Sequence, residues 1–131
     1  VSNDPSLSED YYDVSGVLQA NSGNRLAYVP ELSYVLGLDK VLSIFGMPGY
    51  MSIDYSYTGD RYTSQANELK LPSYAIANMR VGVESNNRSM EVFISNLTDE
   101  NGYLSRYNDF GDIRRTQNRP RVVGLRFKYR Y

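Results

Sequence analysis

The sequence predicts an all-β chain, an antiparallel up-and-down meander of five strands. Three observations predict it: strict period-two alternation of apolar and polar residues, connections that alternate between tight and long, and thirteen tyrosines with no tryptophan. The alternation is sharpest after Pro120. Val123, Leu125, Phe127, Tyr129 and Tyr131 fall on one face, and Gly124, Arg126, Lys128 and Arg130 on the other. A soluble sandwich mixes Thr, Ser, Lys and Glu on its wet face. A wall between lipid and a polar lumen accounts better for an oily face set against a cationic one, which makes the strands those of a transmembrane β-barrel.

Residues 1–30 are rich in Asp, Ser, Asn and Gly and read as a long loop, with a strand remnant around Tyr11 to Leu18. The first strand is expected over about 31–43, with Leu32, Tyr34, Leu36 and Leu38 on one face. Phe45-Gly46-Met47-Pro48-Gly49 is a tight reversal into a second strand over about 49–59. After a polar loop at 60–71, a third strand spans about 72–85, with Arg80 and Glu84 opposite Met79, Val81 and Val83. The turn Ser85-Asn86-Asn87 leads to a fourth strand over about 88–97, and the loop 98–118 precedes the fifth. Short links at 44–48 and 85–87 and long ones at 60–71 and 98–118 are the pattern of a membrane barrel, with tight turns on one rim and long external loops on the other. Tyr50, Tyr57, Tyr62, Tyr74 and Tyr129, near strand ends, suit an interfacial aromatic girdle.

The chain has no cysteine and no histidine, which excludes a disulfide framework, a thiolate metal site and every imidazole-based catalytic arrangement. No enzyme activity, no cofactor and no metal are expected. The net charge of −1 conceals a gradient: residues 1–60 carry eight acidic and two basic side chains, residues 101–131 eight basic and two acidic. Because the basic residues alternate with large apolar ones, facing acidic strands rather than nucleic acid are the expected partners. No apolar run reaches the length of a membrane helix, but a barrel strand needs only about ten residues with every second one apolar. No secretory signal opens the sequence, so a piece of a longer exported chain is expected.

Three stretches in register resemble the C-terminal end of a TonB-dependent outer-membrane receptor. They are Asp13-Val14-Ser15-Gly16 with Gly23-Asn24-Arg25-Leu26-Ala27-Tyr28-Val29-Pro30, Leu71-Pro72-Ser73-Tyr74 through Asn78-Met79-Arg80-Val81-Gly82 to Val92-Phe93-Ile94-Ser95-Asn96-Leu97-Thr98-Asp99-Glu100, and Arg119-Pro120-Arg121-Val122-Val123-Gly124-Leu125 to Tyr131. Two departures are an insertion-like stretch at 17–22 and a final Tyr131 where the family more often ends in Phe. The resemblance implies the last five strands of a barrel of about 22 strands, closed around an N-terminal plug. It implies import of a scarce ligand, an iron chelate, cobalamin or oligosaccharide, energised by the TonB complex acting through the plug. The implied partners are outer-membrane lipid, the rest of the barrel with its plug, and the barrel assembly machinery, in a bacterial cell outer membrane. Five strands cannot close a barrel, and open edges are not tolerated in hydrocarbon, so the chain taken alone is not expected to transport.

Candidate functional residues fall into three groups. Tyr103, Arg106, Tyr107, Phe110, Arg114 and Arg115 in the longest loop offer stacking surfaces and positive charge to an anionic or ring-bearing ligand. Asp54, Arg80, Glu84, Glu91, Arg126, Lys128 and Arg130 are expected to face the lumen and pair across neighbouring strands rather than act as acids or bases. Phe127, Tyr129 and Tyr131 are the candidate assembly signal, read by pairing with the last strand's edge. Asn108, Asp109 and Asp112 offer oxygens to calcium but match no standard loop spacing, and the sequons at Asn87 and Asn96 read as a turn and a strand end. Two other readings stay open on the residues alone: a soluble β-rich binding module with aromatic loop contacts, and a small barrel closed by oligomerisation.

Overall fold

The structure is a computed structural model of the 131-residue chain and describes every residue except Val1, Asn3, Phe110 and Tyr131, together with all side chains of these but that of Asp109. Eleven strands form among the described residues. In chain order they are β1 (Tyr11–Tyr12), β2 (Leu18–Ala20), β3 (Ser33–Ile44), β4 (Met47–Thr58), β5 (Arg61–Tyr62), β6 (Lys70–Leu71), β7 (Tyr74–Ser85), β8 (Arg88–Ser95), β9 (Tyr103–Asp109), β10 (Asp112–Gln117) and β11 (Val122–Tyr129). The five long ones form one sheet in the order β11-β8-β7-β4-β3, an all-β meander in which β3–β4 and β7–β8 are joined tightly and β4–β7 and β8–β11 by long connections. These are the five strands expected from alternation, with bounds moved by no more than two residues.

Two tight reversals pin this sheet. Phe45 and Gly46 both take positive φ, 51° and 77°, the conformation of a type I′ hairpin turn, whose twist matches the strands it joins. Asn86, at φ 46°, turns β7 into β8; Asn accepts this region because its short amide bonds locally. The expected loops are not bare. The 60–71 segment pairs β5 with β6, and 98–118 is largely the hairpin β9–β10, closed by the Gly111 amide bonding Asn108 Oδ1 at 3.1 Å.

The chain divides into two compact units. One gathers Val1–Tyr34, Tyr57–Tyr74 and Asn101–Asn118; the other gathers Val35–Ser56, Ala75–Glu100 and Arg119–Tyr131. The second unit holds the greater part of the five-stranded sheet. Across it the antiparallel registers align Met79, Ile94 and Val123, then Val81, Val92 and Leu125, then Val83, Met90 and Phe127 in three apolar rows. On the other face the rows are Arg80, Phe93 and Gly124, then Gly82, Glu91 and Arg126, then Glu84, Ser89 and Lys128.

The apolar rows remain uncovered: Val123, Leu125 and Phe127 are 65%, 61% and 69% exposed. Among the described residues only Ala20 and Leu71 are buried apolar side chains. A water-soluble sheet buries one face against a second layer, and this sheet does not. The hydrophobic term that would hold it must come from a surrounding apolar medium.

On the polar face, missing side chains make room for aromatic ones. A Cβ built on Gly124 would lie 2.3 Å from Phe93 Cζ, and one on Gly82 would lie 2.7 Å from the Tyr50 ring. Both aromatic rings occupy the space that a side chain on the glycine would fill, an arrangement that covers a bare stretch of sheet.

Candidate functional site

The polar face gathers the charged residues of the sheet into a groove of about 300 Å³ lined by Asp54, Asn78, Arg80, Glu91, Phe93 and Arg126. Glu91 is its centre. Only 8% exposed, it accepts the Tyr50 hydroxyl on Oε2 at 2.5 Å and Arg126 Nη1 on Oε1 at 2.6 Å. The Arg126 guanidinium also lies 5.5 Å from the Phe93 ring centroid. Asp54 accepts Asn78 Nδ2 at 2.6 Å, and Arg80 donates to Ser52 Oγ at 3.1 Å. Glu84 and Lys128 flank Ser89 in register, one strand to each side. Arg130 lies just beyond β11, where its amide bonds the Asn87 carbonyl at 2.8 Å.

Glu91 and Asp54 are thus engaged by fixed donors, and no group of metal-ligating side chains occurs among the described residues. The arrangement is a pre-bonded polar surface. Glu91→Ala leaves Tyr50 and Arg126 without their acceptor; the expected loss is about 2 kcal/mol, read as faster amide exchange along β8 and β11, with Arg126→Ala costing less because Arg126 is half exposed.

The candidate ligand-contact residues lie on the hairpin β9–β10. Arg106 stands directly opposite Arg115, and Arg114 opposite Tyr107. Successive residues point to opposite faces, so these are two separate pairs. Arg115 donates to the Tyr103 hydroxyl at 3.0 Å and lies 5.5 Å from its ring centroid, which brings Tyr103, Arg106 and Arg115 together. Phe110 falls outside the described residues. Arg61, which no local pattern singles out, is 5% exposed; it bonds the Tyr103 and Leu104 carbonyls and lies over the Tyr74 ring at 5.5 Å.

A second cluster went unread in the sequence because Arg25 lies 35 or more residues from the other members. Arg25 donates Nη1 to Asp60 Oδ2 at 2.8 Å, Lys70 Nζ stands 3.0 Å from the same oxygen, and Arg25 lies 5.5 Å from the Tyr62 ring centroid. Asn67 clasps the Arg25 backbone from both sides, at 2.8 Å each. The bonds from Arg25 and Lys70 hold the Asp60 carboxyl below the ordinary carboxylate range. A depressed value stabilises the fold above the unfolded pKa, about 3.9, and that stabilisation is lost as pH falls through the folded value. Order in the 60–71 segment, followed by amide exchange, is therefore expected to hold down to about pH 4 and decline below it, and Asp60→Asn to flatten the profile.

The tyrosines divide by role. Tyr57 stacks on Tyr34 with ring centroids 5.1 Å apart, and Tyr129 carries Arg88 over its ring at 5.7 Å. Tyr50 serves Glu91 through its hydroxyl, and the Tyr62 and Tyr74 rings carry Arg25 and Arg61. The sequon at Asn96 is a structural device, since Asn96 is 3% exposed and every polar atom of its amide is bonded to backbone.

An antiparallel sheet with one uncovered apolar face, one bonded polar face, and alternately tight and long connections has the construction of a transmembrane β-barrel wall. The profile of the family described as TonB dependent receptor-like, beta-barrel matches residues 6–97, and the chain belongs to that family. Among solved structures it is similar to the ferric yersiniabactin uptake receptor FyuA from Yersinia pestis, at 19% identity and a TM-score of 0.78, over 86% of this chain and 18% of that one. The likeness is one of fold, and the chain spans about a fifth of that receptor's length. The family is one of bacterial outer-membrane transporters and receptors rather than enzymes.

Proposed function

We propose that this chain forms part of the wall and external loops of a bacterial outer-membrane transporter that imports a scarce ligand with TonB-delivered energy. The observation that carries the reading is the sheet's two-sidedness: apolar rows left uncovered on one face, and Glu91, Arg126, Asp54 and Asn78 bonded together on the other. The apolar rows contact outer-membrane lipid; the polar face looks into the lumen, toward a plug supplied by the rest of the barrel. Of the ligand classes, an iron chelate is favoured by the likeness to a ferric yersiniabactin uptake receptor.

The β9–β10 hairpin supports a ligand-contact role. Like charges directly opposite in a sheet are destabilising, and Arg106 and Arg115 are so placed. An acidic ligand group between them would offset the repulsion. Arg106→Ala with Arg115→Ala is expected to weaken ligand binding about thirtyfold, each charge-assisted bond being worth roughly 1 kcal/mol or more. Uptake of ferric chelates by cells under iron limitation reads this out, and unchanged uptake by the double variant would remove the hairpin from the ligand path. The isolated 131-residue chain is expected to give no conductance in planar bilayers. Deleting Tyr131 tests the assembly signal: unimpaired insertion would leave Phe127, Tyr129 and Tyr131 with a lipid-facing role alone.

A further inference from the structure

The apolar face of the sheet is grooved where it approaches the tight turn at Asn86. One groove, of about 600 Å³, runs between Met47, Val83, Met90, Phe127 and Tyr129 and ends at Arg88. A second, of about 270 Å³, continues from the same Met47, Val83 and Met90 toward Ile44, Phe45 and Val92. The two grooves thus share Met47, Val83 and Met90 in their linings. The widely exposed Phe127, at 69%, forms one side of the larger.

Arg88 occupies an unusual place. It belongs by register to the row of Ser85 and Tyr129, one step beyond the row of Val83, Met90 and Phe127, on the apolar face. Its guanidinium lies 5.7 Å from the Tyr129 ring centroid, and no carboxylate pairs with it among the described residues. Around the strand end, Arg88, Lys128 and Arg130 line a small recess in which Glu84 is the one acidic side chain. Arg88 and Lys128 also line the larger groove, whose other large side chains are apolar.

We infer that this face holds a diacyl phospholipid with an anionic headgroup, its two acyl chains in the two grooves and its phosphate against Arg88. The two-channel shape matches a lipid with two chains. The charge excess selects an acidic headgroup over a zwitterionic one, which brings its own cation to a site already positive. Arg carries the phosphate better than Lys would by virtue of its planar fork, while its aliphatic stem lies along the apolar rim. The inference rests on the membrane placement proposed above.

The test uses the intact receptor, extracted from outer membranes and equilibrated with vesicles of equal parts phosphatidylglycerol and phosphatidylethanolamine. Retained lipid is identified by native mass spectrometry. Phosphatidylglycerol should be retained in preference. Arg88→Gln should lower its occupancy about fivefold and that of phosphatidylethanolamine, which shares the phosphate but brings its own cation, by less, and Arg88→Lys should restore part of the loss. Heat-modifiable migration certifies that each variant is folded. Equal retention by Arg88→Gln, or no preference between the two lipids in the parent, overturns the site. A Met90→Cys variant that oxidises to a homodimer overturns it in favour of a second copy of the chain. A receptor absent from the outer-membrane fraction fails the membrane placement itself, whereas a membrane-bound receptor with no lipid preference fails this inference alone.

Discussion

Replacing Asn96 with Ala is expected to raise amide exchange at Leu97 to Gly102 about a hundredfold, corresponding to a local loss of about 3 kcal/mol. Asn96 sits at φ 53°, just past β8. Its Nδ2 bonds the Glu100 carbonyl at 2.9 Å and the Arg119 carbonyl at 3.0 Å, while its Oδ1 accepts the Glu100 amide at 2.9 Å. At 3% exposure no water replaces these partners. Asn96→Gly separates the contributions: it keeps the left-handed backbone and loses only the side-chain bonds. The two variants should differ by about 1 kcal/mol, the cost of a Cβ in that conformation.

Gly102→Ala is the second large effect. A Cβ there would stand 2.4 Å from Tyr74 Cγ, with Cδ1 and Cδ2 within 2.8 Å. These atoms are the root of the ring, which moves only if Tyr74 changes rotamer, and Tyr74 is held beneath Arg61. The backbone is no freer, since Gly102 bonds Asn118 through both its amide, at 2.7 Å, and its carbonyl, at 3.0 Å. The expected cost is about 2 to 3 kcal/mol, as for overpacked cores, measured as the temperature at which the 101–118 segment becomes open to protease. Gly82→Ala and Gly124→Ala should cost less, because there the outer ends of Tyr50 and Phe93 are what must yield. Tyr74→Ala should relieve most of the Gly102→Ala penalty.

Period-two alternation carried the five long strands into view because each has one face selected for oil and one for water. β10 has no such contrast: Asp112 to Gln117 are all exposed, and the segment becomes a strand through its pairing with β9 and the Gly111 turn. The faces of Arg80, Glu84, Glu91, Arg126 and Lys128 follow from parity alone. Their partners do not, because partner choice depends on register, and register depends on where the turns fall. Tyr50 shows the gap most clearly: near a strand end it reads as an interfacial residue, yet even parity puts it on the polar face with its hydroxyl on Glu91. Arg25, Asp60 and Asn67 were invisible for a different reason. Nothing local marks three polar residues as one cluster when the loops that join them are set by the fold.

The connection between β8 and β11 is drawn shut at its base. Asn96 holds Arg119, Asp99 Oδ1 accepts the Arg121 amide at 2.8 Å, and Gly102 holds Asn118. For the loop beyond that neck the closure entropy is already met by bonds that do not depend on its length. Added residues at the Gly111 tip then cost only the slow logarithmic penalty of a longer loop, about 0.6 kcal/mol per doubling. The tip of this hairpin is accordingly the place to graft a foreign epitope or an affinity handle, and the place where natural sequences can lengthen without disturbing the strands beneath.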